Sequence, residues 1–348
     1  VNNQLIDTIQ NFGANLNLDH IGIAGIDLKI AEARLLQWLE FGWHGDMEFM
    51  ARYGVKRSQP AQLLPGTLRV ISARLNYLSV PTTELIAQLA DPNCAYIACY
   101  ARGRDYHKLL RKRLQRLAEQ IATVVTDFNY RVYVDSAPVM EKPLAELAGL
   151  GWVGKHTNLV NRYAGSWFFL GEIYTNLTLP VTTPAINHCG SCRACVDACP
   201  TKAIVAPYCL DATKCLAYLT IESHSSIPKS LRPLLGNRIF GCDDCQLVCP
   251  WNRFAKLTTE ADFKPRQPFI HANLIDLFAW TEAEFLRYTE GSTIRRLGWQ
   301  RWLRNLAVAL GNAPPNMNIV KILHTRLQHP NIMVQEHVQW ALAKQLKL

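Results

Sequence analysis

Cys189, Cys192, Cys195 and Cys199 follow one another as C-x2-C-x2-C-x3-C, and Pro200 comes next. Thiolates at this spacing wrap three corners of one iron–sulfur cube and send the fourth ligand to a neighbouring cube. No other stretch constrains the fold as strongly. A partial copy, Cys242-x2-Cys245-x3-Cys249-Pro250, matches the last three ligands of such a run and lacks its first. Cys215 or Cys209 can supply the missing one. Crossed ligation then assigns Cys189, Cys192, Cys195 and Cys249 to one 4Fe-4S cluster. The second takes Cys199, Cys242, Cys245 and one of Cys215 or Cys209. Cys215 is preferred, because Thr213–Tyr218 reads as a helix start able to aim a thiolate inward. Eight soft thiolates in two such runs argue against zinc, which takes four in a closed site. The chain has 11 cysteines, an odd number in a long sequence, so a disulfide scaffold is not expected. Cys94 and Cys99 fall in a predicted strand and read as buried apolar residues.

The 348 residues are enough for two or three domains. With 49% apolar and 19% charged residues the chain reads as globular, not disordered. No apolar run approaches the roughly 18–20 residues of a membrane helix. The start Val1-Asn2-Asn3-Gln4 lacks the basic-then-apolar pattern of a secretory signal. A cytoplasmic protein with no membrane partner is therefore expected. Lys and Arg number 37 against 28 Asp and Glu, a net charge of +9. That surplus favours a polyanionic partner, nucleic acid first and an anionic membrane second.

Residues 1–180 read as an α/β domain. Strands are expected at 21–26, 68–71, 95–100, 130–134, 158–160 and 166–175, with helices near the N-terminus and at 30–41, 106–125 and 139–150. The helix 106–125 carries one apolar stripe (Leu109, Leu110, Leu114, Leu117, Ile121) and a largely opposite basic side (Lys108, Arg111, Lys112, Arg113, Arg116). The basic side serves equally as a solvated face. Pro180–Pro184 reads as a linker, residues 181–262 as the cluster-bearing domain, and 263–348 as a tail domain that is helical from about Asn273 onward.

Gly149-x-Gly151-x-x-Gly154 matches the dinucleotide fingerprint in letters but follows a helix where a strand is required. Gly149-x4-Gly154-Lys155 mimics a P-loop, but His156 stands where Ser or Thr would hold magnesium. Neither NAD nor ATP is expected. The loop can still bring backbone close to a cofactor. Asp135, in Val134-Asp135-Ser136-Ala137-Pro138, follows a strand end, where α/β folds place ligand-binding groups. It can serve as a general acid if burial raises its pKa, or merely cap the next helix. In the tail, Arg295, Arg296, Arg301 and Arg304 lie among Trp299, Trp302 and Leu303, a composition suited to phosphate contact and base stacking. The helix 334–346 repeats the apolar pattern about 34 residues on, as helical repeats of the HEAT type do.

These motifs together resemble the epoxyqueuosine reductase family from end to end. The matching pieces are Lys56-Arg57-Ser58-x-Pro60-x3-Leu64-Pro65-Gly66, the Asp135 motif, Gly149–Asn158, both cysteine runs and the helical tail. The resemblance implies an α+β multidomain protein. It would have a cobalamin-binding domain like the reductive dehalogenase core, a ferredoxin-like domain with two 4Fe-4S clusters, and HEAT-like helices that cradle the tRNA anticodon stem-loop. It implies cobalamin as a further cofactor, Asp135 as proton donor and Cys215 rather than Cys209 as cluster ligand. Arg57, Lys155, His156 and Thr157 fall in motifs that line the family's cobalamin site. The implied reaction reduces epoxyqueuosine to queuosine at the wobble position. Electrons come from a low-potential donor, and a monomer is expected. An alkoxide leaves poorly without a proton, so Asp135 is expected in an apolar surround that keeps it protonated near neutral pH. The rival readings are a reductive dehalogenase, an iron–sulfur electron carrier without its own substrate, and a nucleic-acid-binding protein with structural clusters.

Overall fold

The computed structural model describes residues 2–347. Helix α1 (Asn2–Asn15) leads into strand β1 (His20–Ala24). Strands β2 (Arg69–Asn76), β3 (Tyr130–Tyr133) and β4 (Phe168–Thr175) join it in a sheet of order β1-β2-β4-β3. Every pairing in this sheet is antiparallel. The first region is therefore α+β in build, which corrects the expected α/β arrangement. All eight residues of β4 are buried. Covered on both faces, β4 shows an apolar run without alternation, which by periodicity alone also suits a parallel strand.

Helix α2 (Tyr106–Ala122) covers one face with Leu110, Leu114, Leu117 and Ile121, packed with Ile71, Leu75 and Ile173 of the sheet. Helix α3 (Glu141–Leu147) covers the other with Leu144 and Ala145, among Tyr133, Leu170 and Tyr174. Gly149 ends α3 with φ +71, a left-handed conformation that favours glycine, and a Cβ on Gly151 would meet the Val160 carbonyl oxygen at 2.3 Å. These two glycines are thus required by the chain's own packing.

The expected strand 95–100 shortens to Tyr96–Ile97, which pairs in parallel with Arg238–Phe240, and Cys99–Ala101 turn into a 3-10 helix. Cys94 and Cys99 are buried. The linker is not free. Thr182 exchanges two hydrogen bonds with Ile23 on the edge of β1, one through its backbone N–H and one through its hydroxyl.

From Asn273, which caps the next helix, the chain is helical. Its helices are α4 (Leu274–Ala279), α5 (Glu282–Tyr288), α6 (Trp299–Asn312), α7 (Met317–His324) and α8 (Ile332–Gln345). Helix α6 is the centre of this part and is buried almost throughout. The Trp302 ring stacks on Trp280 at 5.6 Å, and Phe285 packs beside Trp302 and Trp299. Trp302 is 0% and Trp299 9% exposed, so the tail tryptophans are core residues. The expectation that they stack on bases is corrected. Among the described residues no helix is long and apolar enough to cross a membrane.

Candidate functional site

Two polar centres stand out, one built of thiols and one of carboxylates. Cys189, Cys192, Cys195 and Cys249 line one small cavity together with Lys155, His156 and Trp251. The run Cys189–Cys195 supplies three of the four thiols from a loop and the first turn of the helix Ala194–Ala198, and Cys249 arrives after the helix Asp244–Leu247. Trp152 Nε1 donates to Cys189 Sγ at 3.4 Å. Lys155 Nζ donates to the carbonyls of Gly190 and Cys192, at 2.6 and 2.8 Å. The remaining thiols gather beside this group. Burial raises the Cys245 thiol well above its ordinary value, with Cys215 adding to it, and Cys215 is itself raised by burial and by Cys199. Cys242 is likewise raised by burial, then by Asp244 and Cys245. Cys215 caps the helix Leu216–Ile221, whereas Cys209 sits in a small hairpin with Ile204–Ala206. Among the described residues no three His, Cys, Asp or Glu side chains converge closely enough for a single ion. Cys189, Cys192, Cys195 and Cys249 ring a space instead, the arrangement a multi-iron cube demands.

Lys155 and His156 therefore face the thiols, not the cavity at Asp135. Lys155 is committed to the cysteine loop, and burial lowers His156 to about 4, leaving it neutral. Thr157 occupies a left-handed turn at φ +66. Lys155 and His156, expected at the cobalamin site, thus stand where the first thiol group would hold its cluster.

The carboxylate centre is a cavity of about 240 Å³. Its walls come from distant segments. Tyr100, Tyr106 and His107 come from the start of α2 and the turn before it, and Asp135 from the loop after β3. Glu222 and His224 follow the helix Leu216–Ile221, and Arg296 and Arg301 come from the tail. Asp135 has φ +49, a left-handed backbone uncommon for a residue with a Cβ. That turn aims the carboxylate into the cavity, with 45% of the side chain exposed there. Its N–H donates to Glu141 Oε1 at 2.6 Å, so the first turn of α3 holds the loop.

Asp135 Oδ2 lies 2.8 Å from His107 Nε2, and Asp105 Oδ1 lies 2.5 Å from His107 Nδ1. Desolvation opposes the imidazolium, but these two carboxylates raise His107 to about 9. Desolvation would likewise raise Asp135, yet the bond and charge of His107, and then Arg296, bring it below the ordinary carboxylate range. The expected apolar surround for Asp135 is therefore corrected to an ion pair with an imidazolium. Behind it, desolvation and then the Asp135 charge push Glu141 up to about 8, and Glu172, fully buried on β4, is raised further by burial and by Glu141. Arg57 is buried near the same loop, donating to the Phe49 and Val139 carbonyls.

The four tail arginines separate. Arg304 is 0% exposed and donates to the carbonyls of Leu219, Ser223 and Ser225 and to Asn305 Oδ1. It cannot reach a phosphate, which corrects its expected role. Arg301 is half-buried and spends its donors on Leu297, Ile221 and Arg296 carbonyls. Arg296 is exposed at the cavity, 3.8 Å from Glu222. Arg295 is exposed but outside the cavity wall, donating to the Leu286 carbonyl.

His107, Glu141, Glu172, Glu222 and His224 were not singled out from the sequence. A signal existed for two of them. Asp105 before Tyr106-His107 is a helix N-cap placed at a strand-bearing core, and Glu172 is a charge inside an apolar strand.

Comparison with known proteins follows the same division. A family model described as "Epoxyqueuosine reductase QueG, DUF1730" matches residues 57–136, and one described as "4Fe-4S double cluster binding domain" matches 188–252. An epoxyqueuosine reductase from Pseudomonas aeruginosa is 55% identical over 343 residues, covering 98% of this chain and 94% of that one. Its counterpart from Escherichia coli is 53% identical over 346 residues, covering 99% and 90%. Among solved structures, an epoxyqueuosine reductase with an epoxyqueuosine-modified tRNA-Tyr stem loop superposes with a TM-score of 0.87 at 26% identity, covering 99% of this chain and 91% of that chain. The Bacillus subtilis enzyme, solved with its aspartate catalytic loop swung out of the active site, gives 0.89 at 26% identity over the same shares.

Proposed function

The chain belongs to the epoxyqueuosine reductase family, and from that premise we propose that it reduces epoxyqueuosine to queuosine at the wobble position of tRNA. The observation that carries the reading is Asp135, held on a strained turn in one cavity, while Cys189, Cys192, Cys195 and Cys249 line another. The net reaction takes an epoxide, two electrons and two protons to an alkene and water. Cys189, Cys192, Cys195 and Cys249 would hold one 4Fe-4S cluster, and Cys199, Cys215, Cys242 and Cys245 the other. The first four surround space rather than a point, which suits that group. These clusters pass electrons singly from a low-potential donor.

Cobalamin also fits the residues around Asp135. Among the described residues Arg57 Nε, the Tyr133 and Tyr174 hydroxyls and the Glu172 oxygens have no hydrogen-bond partner. A macrocycle rimmed with amides presents donors and acceptors for such groups. Arg57 and the Asp135 loop would hold it, and when bound it supplies a strongly reducing, nucleophilic metal. Tyr100, Phe240 and Leu297 give the cavity an apolar side for the extruded base. Asp135 delivers a proton to the oxygen that leaves carbon. We read the tail as HEAT-like helix pairs whose exposed Arg295 and Arg296 meet phosphates of the anticodon stem-loop.

The test uses anaerobic protein, cobalamin, a chemical reductant and tRNA bearing epoxyqueuosine. Nucleoside mass spectrometry should show the base losing one oxygen. An unchanged base, with both clusters intact by absorption, would overturn the reading.

A further inference from the structure

Asp105, His107 and Asp135 form a continuous hydrogen-bonded chain, and its central ring is fixed on both nitrogens. We propose that His107 supplies the proton that Asp135 delivers, so that the proton source of the site is a carboxylate–imidazole–carboxylate relay rather than an isolated acid. The proposal rests on the reductase reading above and deepens it.

His107 is the second residue of α2, and Asp105 is that helix's N-cap, accepting the His107 backbone N–H at 3.0 Å as well as the ring. The ring stacks on Tyr106 at 4.2 Å, and Tyr106 lies flat on Phe169 at 3.7 Å. With 17% of its side chain exposed, the imidazole is anchored rather than free to turn. A helix N-terminus disfavours a cation. Two carboxylates at hydrogen-bond distance outweigh that, and a ring with acceptors on both nitrogens bonds fully only when doubly protonated.

The groups facing this relay come from each neighbouring element. Arg296 and Arg301 approach from the tail, and Glu222 and His224 from the segment after the helix Leu216–Ile221. Glu141 stands behind Asp135 on α3. The arginines oppose the imidazolium, but Arg296 is shared with Glu222, and Arg301 points its donors at backbone carbonyls. The net field at the ring remains that of its two carboxylate partners, consistent with its raised value of about 9.

The step balances as follows. His107 gives its Nε2 proton to Asp135 Oδ2, and Asp135 passes it to the oxygen leaving carbon. The neutral ring keeps its Nδ1 proton on Asp105, and a solvent proton restores the imidazolium before the second delivery. The two electrons come one at a time through the clusters from the donor. An unpaired Asp135, titrating near the ordinary carboxylate value, would be empty at neutral pH, whereas the relay stays loaded until His107 itself titrates.

The test is the pH dependence of turnover in cluster-loaded, cobalamin-loaded protein. Wild-type turnover should hold from pH 7 to about 9 and fall above. His107→Asn should lower turnover about 100-fold at pH 8, with iron content and tRNA affinity retained. Asp105→Asn should keep more activity and move the alkaline fall downward by about one pH unit. Added imidazole should restore part of the activity of His107→Gly. Unchanged rate and profile in His107→Asn would overturn the proposal, as would an alkaline limit unmoved by Asp105→Asn. Failure of the reductase reading would show already in the wild-type protein, before any variant is compared.

Discussion

The thiol cavity takes three of its four sulfurs from one short stretch, Cys189 to Cys195, and only Cys249 from farther along. The carboxylate cavity draws its walls from segments spread between Tyr100 and Arg301, and its central contact joins residues 28 positions apart. The first centre is specified by local spacing and needs the fold only to bring in the last ligand. The second exists only once the sheet, α2, α3 and the tail have packed. Substitutions should therefore act locally and stoichiometrically in the first centre, and through charge and loop position in the second.

The sharpest way to break this contrast is Asp135→Asn. It should cut turnover by about 1,000-fold, the middle of the range that general acid catalysis contributes, with cluster absorption and tRNA binding unchanged. A loss of clusters would show that the two centres are not separable. Next, Cys215→Ala should lower iron from about eight to about four atoms per chain, whereas Cys209→Ala should leave it near eight. Equal losses would break the assignment of the second thiol group.

The tail offers a smaller effect of a different kind. Arg304→Met should cost about 3 kcal/mol of stability, because four oxygens lose a buried cation. Arg296→Glu should leave stability nearly unchanged while raising the tRNA Kd several-fold and flattening its salt dependence. If both variants behaved alike, in a melting curve and a binding titration, the division between buried and exposed arginines would fail.

The smallest effect is expected at Glu141. Its folded-state pKa is raised to about 8, so between about pH 4.5 and 8 the folded chain retains a proton that the unfolded chain has released. Stability should fall as pH rises through that window and level off above it. Glu141→Gln keeps an acceptor for the Asp135 N–H and should flatten this slope, by a few degrees of Tm between pH 5 and 8. An unaltered slope would remove Glu141 from the loop's anchorage.

What was legible in the sequence follows the same physical line. Cysteine spacing reports on ligands directly, because the backbone between them is too short to allow other arrangements. The stripe Leu110, Leu114, Leu117 and Ile121 reported the buried face of α2 for the same reason, and Asn273 marked where the tail becomes helical. Strand pairing left no such trace. β4 is buried on both faces, so its residues do not alternate and its antiparallel neighbours cannot be inferred. Arg304 and Trp302 read as surface chemistry because composition does not say which side of a helix faces a neighbour. His107 escaped notice because a pair formed across two segments has no spacing to read.

Arg304 has a wider bearing. The three carbonyls it grips belong to residues 219, 223 and 225, which flank the stretch carrying Glu222 and His224 and begin just past Cys215. The tail is therefore no detachable handle. A shortened chain lacking it would lose a wall of its reaction chamber and loosen the anchorage of one cysteine. Descendants of this protein could whittle its outer helices, but α6 is bound to stay for as long as the chemistry does.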